Sequence, residues 1–385
     1  MKLWTLVLLA LALIFSVSAN YPKKVASELA GTDAWTTGII QQIAKGDMIV
    51  IGAGHLFDAN GRPKMQTIKG LNPNIKLMGI VSYLMVYIIN EADSNSIKTS
   101  DPYGWDMWVA SKPYFALTTT GDTCMQWAGN WILNFVAADH VSPNRALISK
   151  WVRIIKKYKD LYPGNIDGVV QDYCMSSFLK VVPAGTPPNE RRVNGEYDFD
   201  DDDVPFASDA NEIALLKQWQ IEYFDSIRIV MGNDFIQSMN GHPQQTDADY
   251  ASRCNGISYE QFATQGGIYS TAYAGYANLL HNEQSGWLRP CLCKTWSILN
   301  ATHPPEGDYP IHMAICALMT DSYYADGYEH FTSWNLNINA GPPIGPAITT
   351  GTPPAITVTR QFTRGVARLV FSSSGYWSTA EFDSL

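Results

Sequence analysis

The sequence predicts an α/β protein, a (β/α)8 TIM barrel with a short C-terminal β-hairpin packed on it. Short apolar runs alternate with amphipathic helical stretches through the middle of the 385-residue chain, which is typical of βα units on a parallel sheet. The runs are rich in Val and Ile, as strands buried on both faces are. The length is sufficient for a full barrel core.

Eight runs are candidates for the barrel strands. In chain order they cover residues 48–53, 76–83, 131–135, 167–173, 235–240, 256–260, 295–300 and 322–328. Helical spacing of Ile148, Trp151, Val152, Ile155 and Tyr158 predicts a helix after the third run. Pro143 suits its first turn.

A second helix is predicted to begin at Asp209, because Glu212 follows three residues later in a capping-box pattern. Its apolar face comprises Ile213, Leu216, Tyr223 and Ile227. The pair Gly232-Asn233 predicts its end.

The chain divides into three parts. Residues 1–19 fit a signal peptide: Lys2 precedes an apolar run over 6–17, and small residues at 17–19 fit a cleavage site. Residues 20–345 are expected to form the barrel domain. Residues 346–385 form a β extension with strands at 356–360 and 366–371. We therefore expect a secreted, extracellular protein without stable membrane insertion after cleavage, the alternative being an uncleaved anchor.

Composition and charge restrict the classes of partner. The net charge is −9 and no dense basic cluster appears, so no nucleic-acid partner is expected. Aromatic residues make up 12% of the chain, which fits either a large aromatic core or a cleft whose rings stack on sugars. Six cysteines permit disulfides: Cys254 has a candidate partner in Cys291 or Cys293, and Cys174 and Cys316 have the alternative of being buried thiols.

Two insertions interrupt the alternation, at 85–113 and at 176–208. The second carries the acidic run Glu196, Asp198 and 200–203, for which calcium binding and a solvated loop are the two interpretations. The run lacks the spaced ligand pattern of a calcium loop, so the sequence predicts a solvated loop and no metal site. No phosphate-binding loop, zinc helix, nucleophile elbow or complete dinucleotide fingerprint is present, and no cofactor is expected.

Two acids at strand ends carry the chemical hypothesis. Alternation puts Gly168, Val170 and Asp172 on one face of the fourth candidate strand, while Asp167 faces the other way and is assigned a structural role. Glu260 ends the sixth candidate strand in the same manner. Two strands apart, the ends lie about 10 Å from one another before the side chains lean inward. Leaning inward allows either the ~5–5.5 Å carboxyl separation of a retaining glycosidase or the ~6.5–9.5 Å of an inverting one. Glycoside hydrolysis needs such a pair, one carboxyl to protonate the leaving oxygen and one to attack or to activate water. Pairing of both acids with Lys or Arg is the structural alternative.

Four stretches resemble hypothetical glycosyl hydrolase family 15, glycoside-hydrolase-like barrels distantly related to endo-α-1,4-polygalactosaminidases. They are 121–151, the strand ending at Asp172, the strand 255–262 containing Glu260, and 359–371 with its Arg-x-Phe-x-x-Gly pattern. The departures are Arg364, where a neutral residue is usual, and the acidic insertion. The resemblance implies that Asp172 and Glu260 are the catalytic pair of a glycosidase, and its usual assignment makes Asp172 the nucleophile and Glu260 the general acid/base, as in a retaining enzyme.

A carbohydrate substrate is the expected partner. Candidate substrate-binding residues near the strand ends are His55, Tyr83, Trp127, Asn134, Tyr173, Asn240, Tyr324, Asp326 and Trp334. The alternative function is a non-catalytic, carbohydrate-binding or structural secreted protein on the same barrel.

Overall fold

The described part of the chain is one closed parallel sheet with helices around it and a C-terminal antiparallel sheet. The computed structural model describes residues 23–28, 32–33, 35–82, 84–87, 94–118, 124–127, 130–172, 174, 197–240, 247–260, 272–284, 293–296, 318, 322–325, 339–375 and 377–384.

The strands are β1 (Lys23–Glu28), β2 (Met48–Gly52), β3 (Lys76–Ser82), β4 (Met85–Tyr87), β5 (Leu117–Thr118), β6 (Met125–Trp127), β7 (Asn130–Ile132), β8 (Gly168–Asp172), β9 (Tyr197–Asp198), β10 (Ile236–Asn240), β11 (Gly256–Glu260), β12 (Cys293–Trp296), β13 (Ser322–Ala325), β14 (Ile348–Thr352), β15 (Ala355–Phe362), β16 (Gly365–Phe371) and β17 (Trp377–Ser384). The helices are α1 (Thr37–Ile43), α2 (Ala53–Phe57), α3 (Gly61–Leu71), α4 (Ser94–Ser100), α5 (Pro102–Ser111), α6 (Arg145–Leu161), α7 (Ala210–Met231), α8 (Ala248–Ala251) and α9 (Ala272–Gln284).

Parallel pairing closes the main sheet in the order β1-β13-β12-β11-β10-β8-β3-β2. From β1 to β12, the strands of this sheet alternate with α-helices along the chain. The predicted α/β class with a helix-flanked parallel sheet is therefore confirmed. The paired residues can be followed from β3 to β2, to β1 and onward around the sheet, with each register extrapolated past the strand ends. The path returns to β3 eight residues closer to the C-terminus than its starting residue. A stagger of this kind tilts the strands relative to the axis of the closed sheet.

One predicted strand assignment is wrong, and one barrel strand was not predicted. The run 131–135 is not a barrel strand, because β7 pairs antiparallel with β4 and β6. Its apolar character comes instead from an aromatic cluster, in which the Trp131 and Phe115 rings lie 4.4 Å apart. The missed strand is β1, where Val25 and Ala26 are buried but the flanking residues are polar, so no apolar run marks it.

Helix α6 buries all five residues that predicted it, Ile148, Trp151, Val152, Ile155 and Tyr158. Burial of each such side chain contributes about 1.5–3 kcal/mol. Its N-cap is Asn144, whose side chain accepts a hydrogen bond from the backbone N–H of Leu147. Pro143 therefore precedes the helix and does not lie in its first turn.

Helix α7 begins and ends where the sequence predicts. Asp209 accepts hydrogen bonds from the backbone N–H groups of Asn211 and Glu212, and Gly232 ends the helix with φ +87°. The predicted apolar face is wrong at Ile213, which is 39% exposed. Leu216, Tyr223 and Ile227 are buried as predicted.

Asp167 joins two elements around the barrel, in agreement with its predicted structural role. Its Oδ2 accepts hydrogen bonds from Lys69 Nζ and from the backbone N–H of Leu77, both at 2.8 Å. We expect Asp167→Ala to lower the free energy of unfolding by about 1–3 kcal/mol, because the N–H of Leu77 loses its acceptor. Urea unfolding of this variant beside Asp160→Ala, which removes an exposed carboxylate, tests this; equal losses in both variants would contradict it.

The C-terminal extension is larger than the predicted hairpin. Strands β14, β15, β16 and β17 form a four-stranded antiparallel sheet, and the two predicted strands lie in its central pair, β15 and β16. β14 is fully exposed and rich in Thr and Gly, so it has no apolar alternation to predict it. Phe371 packs this sheet on α9, with ring centroids 5.5 Å from Tyr273 and 5.3 Å from Tyr276.

Cys254 is a buried free thiol, so the candidate bridge to Cys291 or Cys293 is wrong. Burial raises the pKa of this thiol well above its ordinary value. Cys174 is also buried, in agreement with the predicted burial; Cys316 lies outside the described residues.

Candidate active site

The inside of the barrel identifies which strand positions face its axis. One apolar cluster contains Val25, Met48, Val50, Met78, Val170 and Ile236, with Ile80 packed against it. These residues alternate along five different barrel strands, so they mark the inner face of the sheet. Asp172 lies two residues beyond Val170, on this inner face, at the carboxyl end of β8.

Asp172 is half-buried and hydrogen-bonded to another predicted site residue. Asn240 Nδ2 donates to Asp172 Oδ1 at 3.0 Å. The backbone N–H of Cys174 donates to the Asn240 carbonyl at 2.8 Å, which fixes the end of β10 against the end of β8. Asn240 therefore positions the Asp172 carboxylate.

Glu260 ends β11, and only its backbone belongs to the described part of the chain. Its register places it on the same face as Asp172: Asn240 opposes Ser258, and Glu260 follows two residues later. A stagger of eight residues over eight strands is one residue per strand. Two positions at the same height along the barrel axis, on strands two apart, are therefore offset by two residues in the pairing register. Glu260 and Asp172 thus occupy backbone positions at one height, on alternate strands, as residues of one barrel layer do.

His55 lies on α2, immediately after β2, and pairs with an acid. Its Nδ1 lies 2.9 Å from Asp58 Oδ2. The turn that presents Asp58 requires glycine at position 61, because a Cβ there would lie 1.8 Å from the His55 carbonyl oxygen. The hydrogen bond to Asp58 raises the pKa of His55 above 6.5 despite an opposing effect of burial.

We expect the His55 imidazole to titrate above 6.5, and the Asp58→Asn variant to lower this pKa. Because the folded-state pKa is raised, the pair stabilises the fold fully below pH 6.5, and this contribution is lost as the pH rises through the folded value. With His55 37% exposed, the contribution is at most about 1 kcal/mol. NMR titration of the imidazole in both proteins measures the shift; identical curves would refute the pairing.

Asn134 is engaged in holding backbone. Its Nδ2 donates to the Phe199 carbonyl and its Oδ1 accepts from the N–H of Val136, both at 2.8 Å. It follows β7 in the small antiparallel sheet and not a barrel strand, because the strand assignment that led to it is wrong. Asn134 and Phe199 also line a cavity of about 670 Å³. Asp172 is not among the residues that line this cavity.

Of the remaining predicted binding residues, two have a described place in a strand and four lie outside the described residues. Trp127 ends β6, outside the barrel sheet, opposite Asn130. The register of β13 with β1 aligns Ala325 with the inner residue Val25, so Tyr324 occupies a position of the opposite, helix-facing face. Tyr83, Tyr173, Asp326 and Trp334 lie outside the described residues.

Sequence reasoning missed three positions at the same end of the barrel. Ser82 ends β3 directly opposite Asp172 in register, Gly52 ends β2, and Trp296 opposes Glu260 in the backbone register. The signal for Ser82 and Gly52 was available, since each lies two residues beyond an inward apolar residue, Ile80 or Val50. Within the described residues, carboxylate groups close enough to share a metal ion occur in the segment 198–212, after β8.

Comparison with known proteins gives weak likenesses. No protein-family model and no curated protein matches the chain. Similar solved structures include an alpha-amylase from H. orenii, with TM-score 0.47, 9% identity, and coverage of 90% of this chain and 89% of that one. A xylanase B from Clostridium stercorarium F9 has TM-score 0.37, 9% identity, and coverage of 79% and 86%. A pyruvate kinase from Pyrobaculum aerophilum has TM-score 0.35, 10% identity, and coverage of 80% and 67%. Glycoside hydrolases thus occur among these neighbours beside another class of enzyme.

Within the described residues, no helix combines the length and the apolar character needed to cross a bilayer. The predicted signal peptide, residues 1–19, lies outside them.

Proposed function

We propose that the chain is a secreted glycoside hydrolase on a complete (β/α)8 barrel, with Asp172 and Glu260 as its catalytic carboxylates. The supporting observation is the shared inner face and shared height of these two positions at the carboxyl ends of β8 and β11. In TIM barrels the active site lies at this end. Residues 20–345 would form the catalytic domain, and 346–385 the extension.

The proposed mechanism is retaining. Asp172 attacks the anomeric carbon while Glu260 protonates the leaving glycosidic oxygen, and Glu260 then deprotonates the water that releases the sugar. Two strands separate the acids, a backbone spacing of about 10 Å. Side chains that lean inward from such a spacing reach the ~5–5.5 Å between carboxyls of retaining enzymes.

Asn240 supports this assignment of roles. A nucleophile must hold one oxygen on the line of attack, and the amide of Asn240 fixes Asp172 Oδ1 at 3.0 Å. The substrate is proposed to be a carbohydrate, which would meet Ser82, at the end of β3 opposite Asp172.

The experiment is a screen of the purified mature chain against a panel of polysaccharides, including amino-sugar polymers, with Asp172→Asn in parallel. Release of reducing ends by the wild type and not by the variant is the expected result. Binding to a panel member without hydrolysis by the wild type would instead establish the non-catalytic carbohydrate-binding alternative.

A further inference from the structure

Five carboxylates lie together in the acidic segment after β8, where the sequence predicted a solvated loop and no metal. They are Asp198, Asp200, Asp202, Asp209 and Glu212. The segment is not simply solvated, because Asp198 is 4% exposed and Glu212 is fully buried. One oxygen each from Asp198, Asp200 and Glu212 lies within 4.8 Å of the others, and the same holds for Asp200, Asp202 and Asp209.

Two of the buried oxygens at this point have no hydrogen-bond partner. Glu212 Oε1 accepts from the backbone N–H groups of Phe199 and Asp200, but its Oε2 is buried and unpartnered. Asp200 Oδ1 is buried and unpartnered as well. Buried carboxylate oxygens require a proton or a cation, since leaving them unpaired costs free energy.

Among the described residues, no cationic side chain pairs with these oxygens. The ion pairs of the described residues include none of the five carboxylates. The His140 ring bonds to the backbone carbonyl of Asp200 and not to its carboxylate.

We propose that Asp198, Asp200 and Glu212 bind one Ca²⁺ ion, with Asp202 and Asp209 beside it. Hard oxygen donors alone, in an irregular arrangement, suit Ca²⁺, which takes six to eight oxygens at about 2.3–2.6 Å. Two oxygens that bind one such ion lie at most about 4.6–5.2 Å apart, and the three carboxylate oxygens here lie within 4.8 Å of one another. This site does not depend on the hydrolase proposal.

The ion would join described elements that lie far apart along the chain. Asp198 belongs to β9, which pairs antiparallel with β5, a strand that follows the first insertion. Glu212 lies in the first turn of α7, so one ion would join β9 to this helix.

The test is calorimetric titration of CaCl2 into the EDTA-treated full chain, with thermal denaturation in EDTA and in millimolar CaCl2. Wild type is compared with Glu212→Gln and with the control Glu222→Gln, a residue of the same helix that pairs with Arg145 on the surface. Glu212→Gln is expected to bind one Ca²⁺ fewer per chain than the other two. Calcium should raise the Tm of wild type and Glu222→Gln by about 3–5 °C and leave that of Glu212→Gln unchanged.

Glu212→Gln should fold, because glutamine has the size and neutral charge of the protonated acid; a circular-dichroism spectrum checks this, and Asp200→Asn repeats the test at the second oxygen. Equal calcium stoichiometry in wild type and both site variants overturns the proposal. So does an absence of binding to wild type, which would leave a shared proton between Asp200 and Glu212. Stabilisation by MgCl2 equal to that by CaCl2 overturns the assignment to calcium.

Discussion

Asp172→Asn is expected to reduce the kcat of carbohydrate hydrolysis on the order of 10⁴-fold, the largest effect of any single change in this chain. The amide keeps the shape of the side chain and removes the negative charge that attacks the anomeric carbon. Since Asn240 donates to Asp172 Oδ1, the oxygen of the new amide can still accept that bond, and the fold should be preserved. The loss should therefore appear in kcat and not in the Tm.

Glu260→Gln should reduce kcat by about 10²–10⁴-fold for a natural glycoside, because the leaving oxygen is no longer protonated. The activities of the two variants can be distinguished by using substrates with different leaving groups. A substrate with an acidic phenol as leaving group needs little protonation, so the first step of Glu260→Gln should be largely restored, whereas Asp172→Asn remains inactive on both substrates.

Asp160→Asn is the matched control, because it makes the same chemical change at an exposed position of α6 that pairs with Lys156. It should hydrolyse substrate at the wild-type rate. Wild-type turnover by Asp172→Asn would exclude this residue as nucleophile. Loss of turnover in all three variants with equal loss of Tm would mean that the substitutions act through folding.

The strand that carries each acid was predictable because a buried parallel strand is recognisable without its neighbours. The run around Val170 has apolar residues on both faces, which marks it as a buried strand, and alternation puts Asp172 on the same face as Val170. The identity of the inner face follows only from the cluster that contains Val170. The predicted places of these strands, fourth and sixth in the barrel, were right only because two errors cancelled. One missed strand, β1, and one false strand, 131–135, both precede β8 in the chain, so β8 and β11 remain the fourth and sixth barrel strands.

Properties that depend on pairing across the chain could not be read from the sequence. The shared height of Asp172 and Glu260 depends on the register of every strand pair around the sheet, and no local pattern contains that register. Glu212 fitted a capping box, but its carboxylate bonds to Phe199 and Asp200 because the loop folds back onto the helix start. Asn134 was predicted as a binding residue because the apolar run 131–135 was interpreted as a barrel strand. Burial in a separate aromatic cluster produces the same kind of apolar run.

Gly168→Ala is expected to lower the free energy of unfolding by about 3 kcal/mol, because the added methyl group overlaps a neighbouring strand. Gly168 begins β8 between β3 and β10, and a Cβ there would lie 2.3 Å from the carbonyl oxygen of Ile236 and 2.6 Å from its Cβ. Neither atom is the end of a flexible side chain, so the methyl group can be accommodated only by moving the strand. The glycine in the Asp-Gly motif thus permits close approach of two barrel strands.

Gly70→Ala is the matched control, with the opposite expected sign. Gly70 is exposed on α3, and a Cβ there would meet nothing within 4 Å. Alanine should stabilise this helix by up to about 0.5–1 kcal/mol, since it loses less backbone entropy on folding than glycine. Urea denaturation of both variants measures the two changes. Because moving β8 also moves Asp172, Gly168→Ala should lose hydrolytic activity at temperatures where it is still folded. A variant with normal stability and activity would show that β8 and β10 lie further apart than described here.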